Sequence, residues 1–323
     1  MKAIVYTHYG SPDELQCKEI AQPTPKDKEV LIKVHAAAVN AGDWHLLRGQ
    51  PFLMRLGTGL RKPKHPILGA DVAGKVVAVG RNVTRFQLGD EVFGDLSGSG
   101  YGGFAEYVAA DEAAFVQKPA NVTFEKAAAV LSAAVTALQG LRDEGQIQPG
   151  QQVLVNGASG GVGSFAVQIA KALGAEVTGV CSTRNVKMVR NLGADHVIDY
   201  TKQDFTQTGR QYNLILNAAA YRPLTDFKRA LTAHGRYVMV GGSDKRYFQM
   251  MFMGPWHSRK EGQHFGTFIK AAKPQDLAFL KELVDAGKVA PVIDRRYPLR
   301  EVAEAIRYVE AGHTHGKVVI TVA

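Results

Sequence analysis

One stretch restricts this chain more than any other. Val153-Leu154-Val155-Asn156 is an apolar run that breaks into Gly157-Ala158-Ser159-Gly160-Gly161-Val162-Gly163 and then resumes with helical spacing. A buried strand feeding a glycine turn and then a helix is the opening of a parallel βα unit, and that context makes a weak glycine pattern a strong one. Gly160 lets the backbone approach a pyrophosphate, and Gly163 lets the helix pack closely on the strand. The N–H groups at the helix start then face the phosphates. Ala158, Ser159, Gly160, Gly161, Val162 and Gly163 are therefore read as dinucleotide-binding, with Ala158 standing where such a fingerprint usually has its first glycine.

The βα rhythm continues on both sides of the loop. Ala127 to Leu141 is a helix, Gln152 to Asn156 a strand, Ser164 to Leu173 a helix and Ala175 to Val180 a strand. Val186 to Leu192 is a helix, His196 to Asp199 and Asn213 to Asn217 are strands, Leu224 to Leu231 is a helix and Arg236 to Val240 a strand. Strands alternating with helices at this pace predict a doubly wound parallel sheet of the Rossmann kind. The first third differs. Lys28 to Asn40 and Gly69 to Gly80 read as strands, Leu88 to Gly94 as a turn entering a strand, and Gly94 to Gly103 as a glycine loop leading into Phe104 to Val108. That texture predicts a mainly β domain. Helices at Pro274 to Ala286 and Leu299 to Ala311 and a last strand at Lys317 to Val322 break the rhythm, so the tail is expected to fold back on the first domain. The boundaries expected are 1–123 with 268–323 for the β domain and 124–267 for the α/β domain.

An NAD site usually carries Asp or Glu about 20 residues past the loop to hold the ribose 2′-OH. Here the second strand ends in Val180-Cys181-Ser182-Thr183-Arg184-Asn185, followed by Lys187. Hydroxyls and cations suit a 2′-phosphate, which a carboxylate would repel. Ser182, Thr183, Arg184 and Lys187 therefore point to NADPH. Lys+Arg 39 against Asp+Glu 30 leaves a formal charge of +9, in keeping with an anionic ligand, and the cations are scattered singly. Two distant cysteines, Cys17 and Cys181, supply neither a disulfide framework nor a metal spacing. The N-terminus has no secretory or transit character, and no apolar run reaches the roughly 20 residues of a membrane span. The expected compartment is the cytoplasm.

Five segments together carry a family resemblance: Val39-Asn40-Ala41-Gly42-Asp43, Leu68-Gly69-Ala70-Asp71-Val72-Ala73-Gly74, Gly102-Gly103-Phe104-Ala105-Glu106-Tyr107, Gly157 to Gly163, and Gly193-Ala194-Asp195-His196-Val197-Ile198-Asp199-Tyr200. On these the chain resembles the medium-chain dehydrogenase/reductase superfamily, within it the zinc-free quinone oxidoreductase branch near the chloroplast-envelope homologues and related enone reductases. The resemblance implies a GroES-like β domain made of the N-terminal third and the tail, a Rossmann domain between them, an active site in the cleft, and a homodimer. Zinc-dependent relatives have a Cys in the first segment and Gly-His-Glu in the second. Here Asn40 and Gly69-Ala70-Asp71 stand there, the four-Cys lobe is replaced by Gly94 to Gly103, and no metal ligand is assigned.

The resemblance also places Asn40 near the nicotinamide or substrate and Thr136 against the nicotinamide face. Lys187 and Tyr200 fall around the adenosine end, Asn217-Ala218-Ala219 and Gly241-Gly242 along the nicotinamide ribose, and Lys317 reaches in from the tail. Asp43, Trp44 and Arg48 follow Asn40 where a substrate would approach and complete the catalytic candidates. Some relatives place a Tyr in this region, but no Tyr lies between Tyr9 and Tyr101, which leaves the proton donor unassigned. Without a metal, the acceptor must be electron-poor. A quinone or an α,β-unsaturated carbonyl needs only a hydrogen bond or water at its developing oxyanion. Reduction of 2-enoyl thioesters is a second reading, and an NADPH-sensing or RNA-binding protein without turnover a third. Two apolar insertions stay open: Pro51 to Pro66 is either a lid, a lipophilic wall or a surface helix, and Tyr247 to Trp256 is a hydrophobic substrate pocket or a dimer contact.

Overall fold

A computed structural model describes every residue except 244, 245, 248, 253–257, 259–261 and 323. The chain divides into two compact units. One holds Met1–Ser132, Ala271–Asp285 and Ala290–Ala323; the other holds Ala133–Lys270 and Ala286–Val289. The first division falls inside the helix Phe124–Gln139, nine residues past the Thr123 boundary expected from composition. Among the described residues no helix is long and apolar enough to cross a membrane.

The second unit is the doubly wound one. Its six strands are all parallel and run across the sheet as His196–Asp199, Glu176–Cys181, Gln152–Asn156, Tyr212–Asn217, Leu231–Met239 and His264–Thr267. The order reverses between Gln152–Asn156 and Tyr212–Asn217, the position at which such sheets open a crevice beyond their C-terminal edges. Register aligns those edges: Asn156 lies beside Val180 on one side and Asn217 on the other, and Asn217 lies beside Met239. The helices Gly161–Ala172, Val186–Asn191 and Leu224–Arg229 return the chain between strands. Leu154, Val180, Ile215, Phe227, Tyr237 and Phe265 are among the buried side chains of its core.

In the first unit Glu29–Val39 is the organising strand. Its eleven residues pair antiparallel with Asp71–Val79, with Tyr107–Asp111 at its start and with Lys317–Thr321 at its end. The tail therefore closes this sheet, as its broken rhythm predicts. Lys317–Thr321 in turn pairs with Ile293–Pro298 at the sheet edge, a strand whose Asp294, Arg295 and Arg296 hide it from any apolar pattern while protecting the edge from further pairing.

The two apolar insertions part company. Pro51 to Pro66 forms a 3₁₀ turn, Phe52–Met54, and a single α turn, Arg55–Thr58, with Phe52, Leu53, Leu56 and Leu60 exposed. Of the Tyr247 to Trp256 stretch, Phe248, Met253 and Trp256 lie outside the described residues. Met250 is buried in the core of the second unit, while Met251 and Phe252 are exposed.

Candidate active site

The crevice of the second unit is built around glycine. Gly157 exits the strand at φ +80°, and a Cβ on Gly163 would lie 2.0 Å from the Gly157 carbonyl oxygen, so helix and strand touch only because Gly163 has no side chain. Gly160 differs: a Cβ there would meet nothing closer than 3.5 Å, which leaves open space on that side of the loop. Gly160 is also the N-cap of the twelve-residue helix Gly161–Ala172, and no side chain caps it. The first N–H groups of this helix are thus left for an anion. Gly163→Ala should cost about 3 kcal/mol or more through overpacking. Calorimetric melting and dinucleotide titration of the same sample should both register it.

The floor of the crevice is a hydrogen-bonded chain. Asn156 Nδ2 donates to Asn217 Oδ1 at 2.8 Å and to the Ala219 carbonyl at 3.1 Å, and Asn217 Nδ2 donates to the Tyr237 hydroxyl at 2.7 Å. Burial pushes the Tyr237 phenol well above its ordinary pKa, so it stays protonated. The Asn217-Ala218-Ala219 turn packs on Gly157, and Gly241 and Gly242 pack on Ala218 and Ala220, each with room for no Cβ. Asn156 and Tyr237 are absent from the sequence-derived site. Both read as core residues until the strand register brings them beside Asn217. Thr136 is the one residue from Ala127 to Leu141 that is not buried.

At the end of the second strand the predicted donors separate into two kinds. Thr183 Oγ1 donates to Asp199 Oδ2 at 2.6 Å, and Asn185 Nδ2 donates to Ser159 Oγ at 2.9 Å and to Ser182 Oγ at 3.3 Å. Thr183 is thereby committed to a neighbouring strand. Arg184, Lys187 and Tyr200 are exposed, and neither Arg184 nor Lys187 forms an ion pair with a described residue.

In the first unit the Asn40 region is a buried polar cluster. Asn40 follows the long strand and is the N-cap of the helix Ala41–Arg48, with Asp43 at N3 accepting its backbone N–H. Its Nδ2 donates to Asp71 Oδ2 at 2.9 Å and toward the Ala38 carbonyl at 3.4 Å, while Oδ1 accepts from Lys317 Nζ. The amide is therefore held from both sides, by the Asp71 carboxylate and the Lys317 ammonium. Asp71 also accepts from the Ser132 N–H and hydroxyl, and Ser132 Oγ reaches Asp95 Oδ2 at 3.4 Å. Asp43, Asp71, Asp95 and Lys317 are each at most 3% exposed.

The structure gives the other catalytic candidates structural work. Asp43 Oδ2 accepts the Asn40 N–H at 2.7 Å and its Oδ1 the Gly69 N–H at 3.1 Å, so the buried carboxyl joins the helix start to the second segment. Arg48 forms a two-pronged ion pair with Glu310 of the tail helix Val302–Glu310. Trp44 stacks on His45 with ring centroids 3.6 Å apart. Tyr101, which the sequence passes over, sits at φ +64° between two positive-φ glycines, an unusual conformation for a bulky residue.

Burial raises the Asp43 carboxyl to about 7, with Asp71 adding to the effect and the Asn40 and Gly69 N–H groups and Lys317 opposing it. The folded form thus holds this proton more tightly than the unfolded chain. Its contribution to stability is complete below about pH 4 and is lost as pH rises through about 7. Carbon-13 NMR of the aspartate carboxyls should show one resonance titrating near 7 that vanishes in Asp43→Asn; titration of every carboxyl below 5 would contradict this.

A six-stranded parallel sheet that opens on a glycine turn and an uncapped helix start, together with a β unit completed by the tail, makes up a two-domain dinucleotide-dependent oxidoreductase. Residues 26–120 match the alcohol dehydrogenase GroES-like domain and residues 192–320 the zinc-binding dehydrogenase domain. The chain is 34% identical over 333 aligned positions to a chloroplast envelope quinone oxidoreductase homolog of Arabidopsis thaliana, covering 99% of this chain and 98% of that one. It is 33% identical to an NADPH-dependent alkenal/one oxidoreductase of the same plant, covering 99% of this chain and 79% of the relative. Among solved structures it is similar to the quinone oxidoreductase of Coxiella burnetii, with a TM-score of 0.86 at 28% identity and coverage of 100% and 99%. The chain belongs to the medium-chain dehydrogenase/reductase superfamily, in its quinone oxidoreductase-like branch. Although one matched domain carries zinc in its description, no group of three His, Cys, Asp or Glu side chains among the described residues is arranged to hold a metal.

Proposed function

We propose that the protein is an NADPH-dependent, zinc-independent reductase of quinones and α,β-unsaturated carbonyls, and that it works in the cytoplasm as a homodimer. The observation that carries this reading is the pair of exposed, unpaired cations Arg184 and Lys187 at the ribose end of a glycine loop whose helix start is uncapped. Bound NADPH supplies the hydride. The chain's residues do the rest: Gly160 to Gly163 present N–H groups to the pyrophosphate, Ser182, Arg184 and Lys187 hold the 2′-phosphate, and Asn217 to Ala219 with Gly241 and Gly242 shape the nicotinamide end. Asn40, itself held by Asp71 and Lys317, orients the cofactor or substrate. The names of the relatives, quinone and alkenal/one oxidoreductases, agree with an acceptor that is already electron-poor.

The test is NADPH consumption by chelator-treated protein across quinones, alkenals and 2-enoyl thioesters. Turnover of the first two, with thioesters slower by at least about tenfold, is expected, a factor equal to about 1.4 kcal/mol of barrier. Activity that disappears with the chelator and returns with zinc would refute the proposal. Sedimentation velocity checks the homodimer.

A further inference from the structure

The Pro51 to Pro66 insertion has one face that is pinned and another that is bare. On the inner side Met54 packs against the core of its unit, the Arg55 guanidinium lies 4.4 Å over the Tyr9 ring, and the Tyr9 hydroxyl donates to the Gly59 carbonyl at 2.6 Å. The turn is therefore held rigidly. Phe52 and Leu56, one helical turn apart, are 62% and 69% exposed; Leu53 is 61% and Leu60 55% exposed. Side chains this open project into water. A soluble surface seldom gathers four large apolar groups within nine residues without a use for them.

The charge around this turn is of one sign. From residue 44 to residue 70 the chain holds Arg48, Arg55, Arg61, Lys62 and Lys64 and no acidic residue. Arg61, Lys62 and Lys64 are exposed, and Arg61 and Lys62 pair with no described carboxylate. The backbone brings them against the apolar turn. The Lys64 N–H donates to the Thr58 carbonyl at 2.8 Å, Lys64 Nζ to the Gly57 carbonyl at 3.0 Å, and Gly59 at φ +117° lies so close to the Lys62 carbonyl that a Cβ would sit 2.1 Å from it.

We infer that this turn is a peripheral docking tip for an anionic lipid bilayer: Phe52, Leu53, Leu56 and Leu60 enter the acyl boundary while Arg61, Lys62 and Lys64 meet the headgroups. Apolar groups with a cationic border are what an anionic interface attracts, and a fluid bilayer needs no matching pocket. A second copy is a poorer occupant, because a two-fold contact would set this cationic patch against itself. The inference stands apart from the reductase reading and needs neither cofactor nor substrate.

Co-sedimentation of the full chain with vesicles tests it, using phosphatidylcholine alone or with about one-third phosphatidylglycerol. Partition onto the anionic vesicles should exceed that onto neutral ones by at least about tenfold and fall severalfold between about 0.1 M and 0.5 M NaCl. Phe52→Ser/Leu56→Ser and Arg61→Glu/Lys62→Glu, all at exposed positions, should each reduce it by about tenfold or more with melting temperature unchanged. Equal partition of both variants and the parent, or no partition above a vesicle-free control, overturns the inference. So does conversion of a dimer to a monomer by Phe52→Ser/Leu56→Ser without vesicle binding by the parent, which would identify the occupant as a second copy.

Discussion

Lys317→Met should lower the stability of the first unit by about 3–5 kcal/mol, the usual result of stripping one partner from a buried charge cluster. Lys317 is 3% exposed, and its ammonium donates to Asn40 Oδ1 and, at 3.3 Å, to the Val39 carbonyl, while lying 3.8 Å from Asp71. Methionine matches its length and fills the space, so the change removes charge and hydrogen bonds without leaving a large cavity. Asp71 then loses its ammonium in a region that also contains the buried Asp43 and Asp95. At roughly 2–3 °C per kcal/mol the melting temperature should fall by about 6–15 °C. Lys317→Met/Asp71→Asn should recover part of the loss, because the second change removes the carboxylate that the first leaves without its cation; the recovery measures the coupling directly. A single variant that melts within about 1 °C of the parent would show that the cluster carries little of the unit's stability. Because Asn40 is oriented by the same ammonium, the variant should also lose the fixed direction of that amide, visible as a weaker KM for cofactor or substrate than the stability change alone explains.

How much of this could be read from residues alone depends on how far apart in sequence the partners lie. The crevice was legible because its parts are local: strand, glycines and helix follow one another from Val153 to Ala172, and Gly163 does what the spacing predicts. The tail's return to the first sheet was legible from its broken rhythm. Four strands escaped notice, the short Gln16–Glu19 and Phe115–Gln117 and two whose reasons are plain. His264–Thr267 is four residues long with a glycine inside it, and Ile293–Pro298 is charged because it lies on an edge. The strand Leu231–Met239 begins inside what reads as helix: Leu231 pairs with Tyr212, the register then breaks, and pairing resumes from Arg236 to Met239. The Asn40 cluster was legible as positions but not as chemistry. Ser132 comes 61 residues after Asp71 and Lys317 comes 277 after Asn40, and no local pattern says that these groups saturate one another. For the same reason Asp43 and Arg48 read as open catalytic groups, when their partners are the Asn40 and Gly69 N–H groups and Glu310.

Replacing both cations at the ribose end, Arg184→Glu with Lys187→Glu, should lower kcat/KM for NADPH by about 100-fold or more while changing that for NADH by less than about threefold. Charge-assisted hydrogen bonds of about 1.5–3 kcal/mol each set that scale, and the introduced carboxylates add repulsion. Both residues are exposed, so the fold should not notice. Ser182 keeps its proton for a ligand, because its oxygen only accepts from Asn185. Thr183 is expected to add little, since its hydroxyl is given to Asp199. Asp199 is the only carboxylate that bonds a predicted ribose-end residue among the described residues, and it is the obvious competitor as a 2′-OH acceptor in an NAD site. Its oxygens already receive the Thr183 hydroxyl and the Thr201 N–H and hydroxyl, and Lys202 lies 3.8 Å away. The Thr183 bond, ahead of the others, holds its pKa below the usual carboxylate value, so it remains an anion that is locally satisfied. The proposed NADPH preference should therefore weaken as ionic strength rises, in proportion to the screening of two exposed cations. A parent enzyme that used both dinucleotides equally at low salt, or a charge-reversed variant that kept its preference, would remove Arg184 and Lys187 from the cofactor site and return Asp199 to consideration.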